Sequence, residues 1–329
     1  MIILDNIIKN LQSGGGVTVY FDNIRERLIK ENLPMEVINY AAHSESGGKQ
    51  LRFMERYRDC EVADQNAVFH SSYYRLPTSD KQTVITTVHD FTYELFIKGP
   101  AQWVHTWQKN RAIKNSRINI CVSNNTAKDL LRFCPVKEEN IRVIHNGVSD
   151  SYYPLTNVPI KTDKVLFVGA RGGYKNFELA IKAIALNPEL SLAVVGGGDF
   201  TQHESALLEQ YLPNRYKWLG RLSEEELNTA YNSAYALIYP SSYEGFGIPV
   251  AEAMRAGCPV VTVNSSSIPE VAGDAAILIE TISVDELADG LRMIDNEREK
   301  LIRAGFSQAQ KFSWEKCYQE TLAIYKEFL

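Results

Sequence analysis

The sequence lacks several patterns that would assign it to a common class of site. Its five cysteines are scattered and form no C-x-x-C pair, which argues against a disulfide framework and against a zinc site. It contains no D-x-D triplet of the kind that holds a divalent metal on a phosphate, and no G-x-x-x-x-G-K-[ST] phosphate-binding loop. We therefore expect neither a metal nor a cofactor.

Positive charge and long apolar runs are also scarce. The 329 residues carry a formal net charge of −5, whereas nucleic-acid binding usually needs a strongly basic domain. No apolar run approaches the ~20 residues that span a bilayer. The first residues include Asp5 and Lys9 and lack the basic start of a signal peptide. We expect a cytoplasmic protein that binds no nucleic acid; a peripheral position on the inner face of the plasma membrane stays open.

Strand-like and helix-like segments alternate along the chain, which is typical of α/β proteins with parallel sheets. A polar stretch with two prolines, residues 149–164, interrupts the alternation and is interpreted as a linker. We predict an N-terminal Rossmann-like domain over 1–155 and a C-terminal one over 156–311. The amphipathic helix at 312–329 is predicted to pack back on the first domain. Two facing domains of this kind would hold a ligand cleft between them, at the carboxyl ends of the strands.

The most informative stretch is YPSSYEGFGIPVAEAMRAG, residues 239–257. Glu244 lies in the loop after a predicted strand, and Glu252 follows eight positions later in a predicted helix. Carboxylates accept hydrogen bonds from sugar hydroxyls, glycines let the backbone approach a ligand, and a helix N-terminus favours anions. Either glutamate alone would be an ordinary surface acid, but the pair favours a nucleotide sugar. The backbone between them is predicted to bind the donor at Phe246, Gly247, Ile248 and Pro249.

Three other features carry weaker signals. In FVGARGGYKN, Arg171 and Lys175 follow a predicted strand and suit a diphosphate, although two solvated surface charges fit equally well. Glycines 14–16 precede a helix, where their amides would either face a phosphate or form a plain turn. His89 ends a predicted strand in TVHD, where it would hydrogen-bond a reacting sugar, move a proton or be satisfied within its loop.

The predicted helix at 98–117 is locally basic and contains Trp103 and Trp107. Cations beside tryptophans fit an anionic bilayer surface or a lipid-diphosphate acceptor. A solvated basic face with both tryptophans in the core is the more ordinary interpretation, and we adopt it at this point.

Taken together, these stretches resemble glycosyltransferase family 4, a group of retaining transferases with the GT-B fold. The resemblance covers nearly the whole chain, and its most specific part is the Glu-x7-Glu element from Glu244 to Glu252. The segments that carry it are GGGV, TVHD, CVSNNTAKDLL, IRVIHNGV, FVGARGGYKN, ALIYPSSYEGFGIPVAEAMRAGCPVV and the final FSWEKCYQETLAIY.

The resemblance implies a role for each candidate residue. Glu252 would bind the ribose of the donor, and Glu244 would bind hydroxyls of the transferred sugar. Arg171 and Lys175 would bind the diphosphate, although their spacing of four residues is shorter than in many relatives. The remaining roles belong to the first domain. Gly15 and Gly16 would approach the donor phosphate or the acceptor, and His89 would contact the sugar near its anomeric carbon.

The implied activity is transfer of a sugar with retention from a UDP- or GDP-sugar, of mannose or glucose type, to a glycan or lipid-linked glycan. Cell-surface polysaccharide synthesis, such as that of O antigen or capsule, is the expected setting. Two alternatives remain on the same fold: a nucleotide-sugar epimerase or phosphorylase, and a non-catalytic partner that binds nucleotide sugars. An epimerase needs further acids and bases around the sugar, and a phosphorylase needs another anion site or a pyridoxal lysine.

Overall fold

The structure is a computed structural model in which the chain folds into two compact units. The first unit comprises Met1–Gly147 with Trp314–Leu329, and the second comprises Val148–Ser313. The residues that the structure describes are 1–12, 14–41, 48–156 and 163–329. Part of the predicted linker, 157–162, lies outside them.

The boundary between the units lies eight residues before the predicted one, and the return to the first unit lies two residues after the predicted one. The first unit ends at Gly147 instead of 155 because the following segment is bonded to the second unit. The Val148 amide donates to the Phe312 carbonyl at 3.3 Å. The amides of Tyr153 and Leu155 donate to asparagine side chains of the second unit at 3.1 and 2.8 Å. The chain returns to the first unit at Trp314.

The first unit is built on a six-stranded sheet whose recorded pairings are all parallel, in the order β2-β1-β5-β6-β7-β8. Strands β1, β5 and β7 are buried along their whole length, as expected for strands covered on both faces. The strands are β1 Ile2–Asp5, β2 Met35–Ile38, the short pair β3 Tyr40–Ala41 and β4 Lys49–Gln50, β5 Val68–Ser71, β6 Thr83–Val88, β7 Ile118–Cys121 and β8 Ile141–Val143. The helices are α1 Ile8–Leu11, α2 Gly16–Lys30, α3 Thr92–Phe96, α4 Pro100–Asn115, α5 Asn124–Phe133 and α12 Trp314–Lys326.

The C-terminal helix α12 belongs to the core of this first unit. It packs near α2, and its buried side chains share one apolar cluster with Tyr20, Phe21 and the strands. The imidazole of His70 at the end of β5 is held between the hydroxyls of Tyr325 and Thr87, at 2.7 and 2.9 Å. Burial, with His89 nearby, lowers the pKa of His70 to about 3, so the ring is neutral.

The second unit has a six-stranded parallel sheet in the order β11-β10-β9-β12-β13-β14. The two six-stranded sheets confirm the predicted α/β class with two Rossmann-like units. The strands are β9 Lys164–Val168, β10 Ser191–Val195, β11 Tyr216–Gly220, β12 Ala236–Tyr239, β13 Val260–Val263 and β14 Ile277–Ile279. The helices are α6 Phe177–Ala185, α7 Gln202–Tyr211, α8 Glu224–Ser233, α9 Ile248–Ala256, α10 Ile268–Ala272 and α11 Val284–Ala309.

The strand order places a topological switch in each sheet. In the second unit, β9 and β12 are neighbours, while the chain continues from β9 outward to β10 and from β12 outward to β13. The loops after β9 and β12 therefore diverge at the carboxyl edge and leave a crevice, the usual position of ligands in open α/β sheets. In the first unit the corresponding neighbours are β1 and β5. Among the described residues, none of the helices combines the length and the apolar character required to cross a membrane.

We predict that Tyr325→Phe lowers the free energy of unfolding by about 1–3 kcal/mol, because it leaves a nitrogen of the buried His70 ring without its partner. Urea denaturation followed by circular dichroism measures the change. The matched control is Tyr153→Phe, at a tyrosine that is 52% exposed. Equal effects of the two substitutions would show that the α12 contact to His70 contributes nothing to stability.

Candidate functional site

The crevice at the switch of the second unit contains an ion pair. Lys175 ends a short 3-10 turn after β9, and Glu244 lies in the loop after β12. The Lys175 Nζ atom lies 2.5 Å from Glu244 Oε1 and 3.3 Å from the Tyr239 hydroxyl. The two charged side chains are 12% and 13% exposed. Two predicted site residues from distant parts of the sequence are thus in direct contact at the carboxyl edge.

The loop that carries Glu244 is held on both sides by hydrogen bonds. The hydroxyls of Ser266 and Ser267 donate to the Glu244 carbonyl at 2.5 and 2.9 Å, and the Glu244 amide donates back to Ser266 Oγ at 3.0 Å. On the other side, the Ser242 amide donates to the Tyr174 carbonyl at 2.9 Å. The position of the carboxylate is therefore fixed by the backbone before any ligand is bound.

The second glutamate, Glu252, lies in α9 and is half-buried. The buried Tyr231 hydroxyl donates to Glu252 Oε2 at 3.0 Å. Burial raises the pKa of Glu252 to about 7; hydrogen bonds from Tyr231 and Tyr152 oppose the shift, and the charge of Glu224 adds to it. The carboxyl group thus changes its charge near neutral pH and is oriented by two tyrosines.

The glycine bend between the two glutamates leads directly into α9. Gly247 has φ +97°, and a Cβ atom there would lie 2.7 Å from Ile268 Cδ1, so the position requires glycine. The helix begins at Ile248, and Pro249 lies in its first turn, where a residue without an amide hydrogen is tolerated. Phe246 is buried and packs edge-on against Phe312 at 5.3 Å between ring centroids. Any contact of Phe246 with a donor therefore involves its backbone.

Arg171 is engaged elsewhere in the second unit. Its Nε donates to Glu204 Oε1 at 2.8 Å, and its terminal nitrogens donate to carbonyls of the glycine loop, at Gly196 and Gly198, both at 3.0 Å. The side chain is 4% exposed. A Cβ atom at Gly197 would collide with the guanidinium group. Arg171 and Lys175 thus contact different loops, and diphosphate binding by Arg171 stays a prediction.

The predicted residues of the first unit occupy separate positions. Gly15 and Gly16 are exposed at the start of α2, and the short helix α1 separates them from β1. His89 follows β6, and its ring packs edge-on against Tyr20 at 5.3 Å. In the described part of the chain, His89 Nε2 is buried and has no hydrogen-bond partner.

The charge state of His89 limits its chemistry. Burial lowers the pKa of His89 to about 4; Asp90 opposes this shift and Lys109 adds to it. The imidazole is therefore neutral at physiological pH and is a weak base. A neutral ring with a free nitrogen suits a hydrogen bond to a hydroxyl better than proton transfer.

Several residues of the site escaped the sequence analysis. The tyrosines on Glu252 come from α8 and from the segment before residue 156, and the serines on Glu244 follow β13. The run Ser265–Ser267 after a buried strand is the one sequence feature that could have indicated the serines of this site. Within the described ranges, no three His, Cys, Asp or Glu side chains are grouped so as to hold a metal ion. The arrangement offers one buried cation, two carboxyl groups and a helix N-terminus to a ligand.

Comparisons with known proteins identify relatives of this chain. Residues 156–308 match the family described as Glycosyl transferases group 1, and residues 62–152 match Glycosyltransferase Family 4. Over 285 residues, the chain is 28% identical to the O-antigen chain mannosyltransferase B of Escherichia coli, covering 79% of this chain and 74% of the relative.

Two solved structures show the same fold. Sucrose-phosphate synthase from Thermosynechococcus elongatus superposes with a TM-score of 0.80 at 19% identity, covering 99% of this chain and 98% of that one. The Anabaena protein HepE, solved in complex with UDP and glucose, superposes with a TM-score of 0.67 at 17% identity, covering 99% of both chains. These structures confirm the predicted GT-B class.

The raised pKa of Glu252 gives a prediction for stability. Between the ordinary glutamate value of 4.5 and about 7, the folded protein keeps a proton that the unfolded chain has lost, so stability falls as pH rises through this window. Glu252→Gln stays neutral at every pH. We predict that it raises the Tm of the ligand-free protein near pH 8 and leaves it almost unchanged near pH 4.

Differential scanning calorimetry at both pH values measures the effect, with the exposed Glu299→Gln as control (the Glu299 side chain is 88% exposed). A Tm difference between Glu252→Gln and the wild type that is the same at both pH values would contradict the shifted pKa.

Proposed function

The chain belongs to glycosyltransferase family 4, and we propose that it transfers a hexose with retention from a UDP- or GDP-sugar to a glycan or lipid-linked glycan. The proposed setting is synthesis of a cell-surface polysaccharide such as O antigen or capsule. The similarity to an O-antigen mannosyltransferase supports a mannose-type donor, and the fold shared with a protein solved with UDP and glucose supports a glucose-type donor.

The contact between Lys175 and Glu244 is the observation on which this proposal rests. A lysine and a glutamate from the loops after β9 and β12 meet at the topological switch, where α/β sheets bind nucleotides. The cation suits the diphosphate of a donor, and the carboxylate suits hydroxyls of the sugar. Glu252, farther along α9 and oriented by Tyr231, suits the ribose.

In the proposed reaction, the bond between the anomeric carbon and the phosphate oxygen breaks. The acceptor oxygen forms a new bond to the same face of that carbon, and its proton passes to the leaving phosphate. Lys175 and the amide end of α9 stabilise the charge that develops on the leaving nucleoside diphosphate. Because these groups already supply positive charge, we propose that the reaction requires no metal ion. Arg171 fixes the loop from Gly196 to Asp199, and diphosphate binding by Arg171 would require it to leave Glu204.

In the first unit, Gly15 and Gly16 offer exposed backbone at the start of α2 and are proposed to approach the donor phosphate or the acceptor. His89 is proposed to contact the sugar near the anomeric carbon. Its neutral ring and unpartnered Nε2 support a hydrogen bond to a sugar hydroxyl.

Thermal-shift measurements with UDP, GDP, ADP and their sugars test the proposal. A nucleotide at 100 times its dissociation constant adds about 2.7 kcal/mol of stability. We expect a nucleoside diphosphate and its sugar to raise the Tm of the wild type. Glu252→Ala should lose most of this shift because the ribose hydroxyls lose their acceptor, while Glu299→Ala should keep it.

Product formation is followed separately by release of the nucleoside diphosphate, with and without EDTA. No Tm shift with any of the nucleotides would refute the donor site, and so would an unchanged shift in Glu252→Ala. Nucleotide binding without sugar transfer to any saccharide acceptor would favour the non-catalytic alternative. Loss of transfer in EDTA would refute the metal-independent reaction only.

A further inference from the structure

The surface of α4 departs from the sequence prediction for its tryptophans. We expected Trp103 and Trp107 in the core, but they are 70% and 60% exposed, and Val104 between them is 44% exposed. The core face of α4 is instead formed by other side chains, among them Ala112 and Ile113. The sequence interpretation was wrong because apolar residues occur on opposite faces of this helix. Two indole rings one helical turn apart are thus presented to solvent.

A second exposed apolar segment lies beside α4. In residues 51–59, Phe53 is 84% exposed and Met54 is 53% exposed. The segment is bonded to α4 at two points. Gln108 Nε2 donates to the Arg56 carbonyl at 2.5 Å, and Arg111 forms two bonds of 2.6 Å with the Asp59 carboxylate. The ion pair between Arg111 and Asp59 therefore connects the two segments directly. The guanidinium of Arg111 also lies 5.9 Å from the Trp107 ring centroid.

The charge of these segments is opposite to that of the whole chain. Residues 51–59 and 91–117 contain eight Lys or Arg and three acidic residues, a formal charge of +5, whereas the chain carries −5. Each acidic residue has a basic partner within the protein: Glu55 with Arg75, Asp59 with Arg111, and Glu94 with Lys109. The exposed basic residues are Arg52, Arg58, Lys98, Lys114 and Arg117.

We propose that residues 51–59 and 91–117 form a docking surface for an anionic lipid bilayer. Tryptophan is favoured at membrane–water interfaces because its ring is apolar and its N–H is polar, while lysine and arginine attract anionic headgroups. This surface combines exposed tryptophan, phenylalanine and methionine side chains with a net positive charge. Each of its acidic residues is paired with a basic residue. A protein partner with an acidic surface would explain the exposed cations, but it would not explain why Phe53 and Met54 are exposed beside them.

Both segments of this surface are attached near the carboxyl ends of strands in the first unit. The chain reaches α4 through α3, which starts four residues after β6 ends. Segment 51–59 is fixed by Arg75, which follows β5 and bonds Glu55 at 2.7 Å and the Arg58 carbonyl at 2.7 Å. Both exposed segments are thus held from the carboxyl ends of neighbouring strands. If the proposed lipid-linked acceptor is correct, this surface would place the enzyme at the membrane in which that acceptor resides.

Co-sedimentation with lipid vesicles tests the proposal. We expect the wild-type chain to bind vesicles of phosphatidylcholine and phosphatidylglycerol in equal parts, and to bind phosphatidylcholine alone weakly. Trp103→Ala/Trp107→Ala should weaken binding to the anionic vesicles by about tenfold or more, because the variant loses its largest inserting side chains. Lys98→Glu/Lys114→Glu should weaken it as well, and added salt should weaken wild-type binding.

The control is Ile29→Ala/Met293→Ala, which removes two exposed apolar residues outside this surface, 56% and 50% exposed. Circular dichroism and the nucleotide-induced Tm shift should be the same in all variants, which shows that each has folded. Absence of wild-type binding, or equal binding by the tryptophan variant and the control, would overturn the proposal. Sedimentation velocity without lipid gives a further check. A dimer that the tryptophan variant abolishes would assign this face to a second copy of the chain and overturn the lipid proposal.

Discussion

The ion pair between Lys175 and Glu244 joins the two loops that diverge at the switch of the second sheet. Without it, a nearly buried ammonium group and a nearly buried carboxylate would each lack their main partner, which is costly in a poorly solvated crevice. The serine hydroxyls on the Glu244 loop and the contact between Ser242 and Tyr174 hold the two loops in the same geometry. The proposed donor site is therefore organised in the absence of a nucleotide, and little ordering cost would remain for binding.

The two units use the same topological position differently. At the switch of the first sheet, between β1 and β5, the buried Arg75 lies between Asp5 and Glu55, with Nη–O distances of 3.1 and 2.7 Å. The Tyr40 hydroxyl and Ser71 also bond Asp5. An arginine of the protein thus fills the crevice, whereas the crevice of the second unit holds the Lys175–Glu244 ion pair, which we propose meets a ligand. The filled crevice instead fixes the exposed segment 51–59.

The sequence predicted local features well and long-range partners poorly. Strand–loop–helix order, the glycine bend and the positions of Glu244 and Glu252 follow from short-range patterns, because glycine conformation and helix starts are local properties. The bond of Arg171 to Glu204 spans 33 residues and was not predictable. The tyrosines on Glu252 also come from other elements. The exposed tryptophans of α4 were misassigned because a short apolar pattern does not tell which face meets the core.

The central claim is that Lys175 and Glu244 bind different parts of one nucleotide sugar. Calorimetric titration of Lys175→Met and Glu244→Gln, with a nucleoside diphosphate and with its sugar, tests it most directly. Lys175→Met should weaken both ligands by about tenfold or more, because a hydrogen bond to a charged group contributes about 1.5–3 kcal/mol. Glu244→Gln should weaken only the nucleotide sugar and leave the diphosphate bound at least as tightly as in the wild type. Wild-type affinity of both variants for both ligands, or equal loss of both ligands in both variants, would contradict the claim.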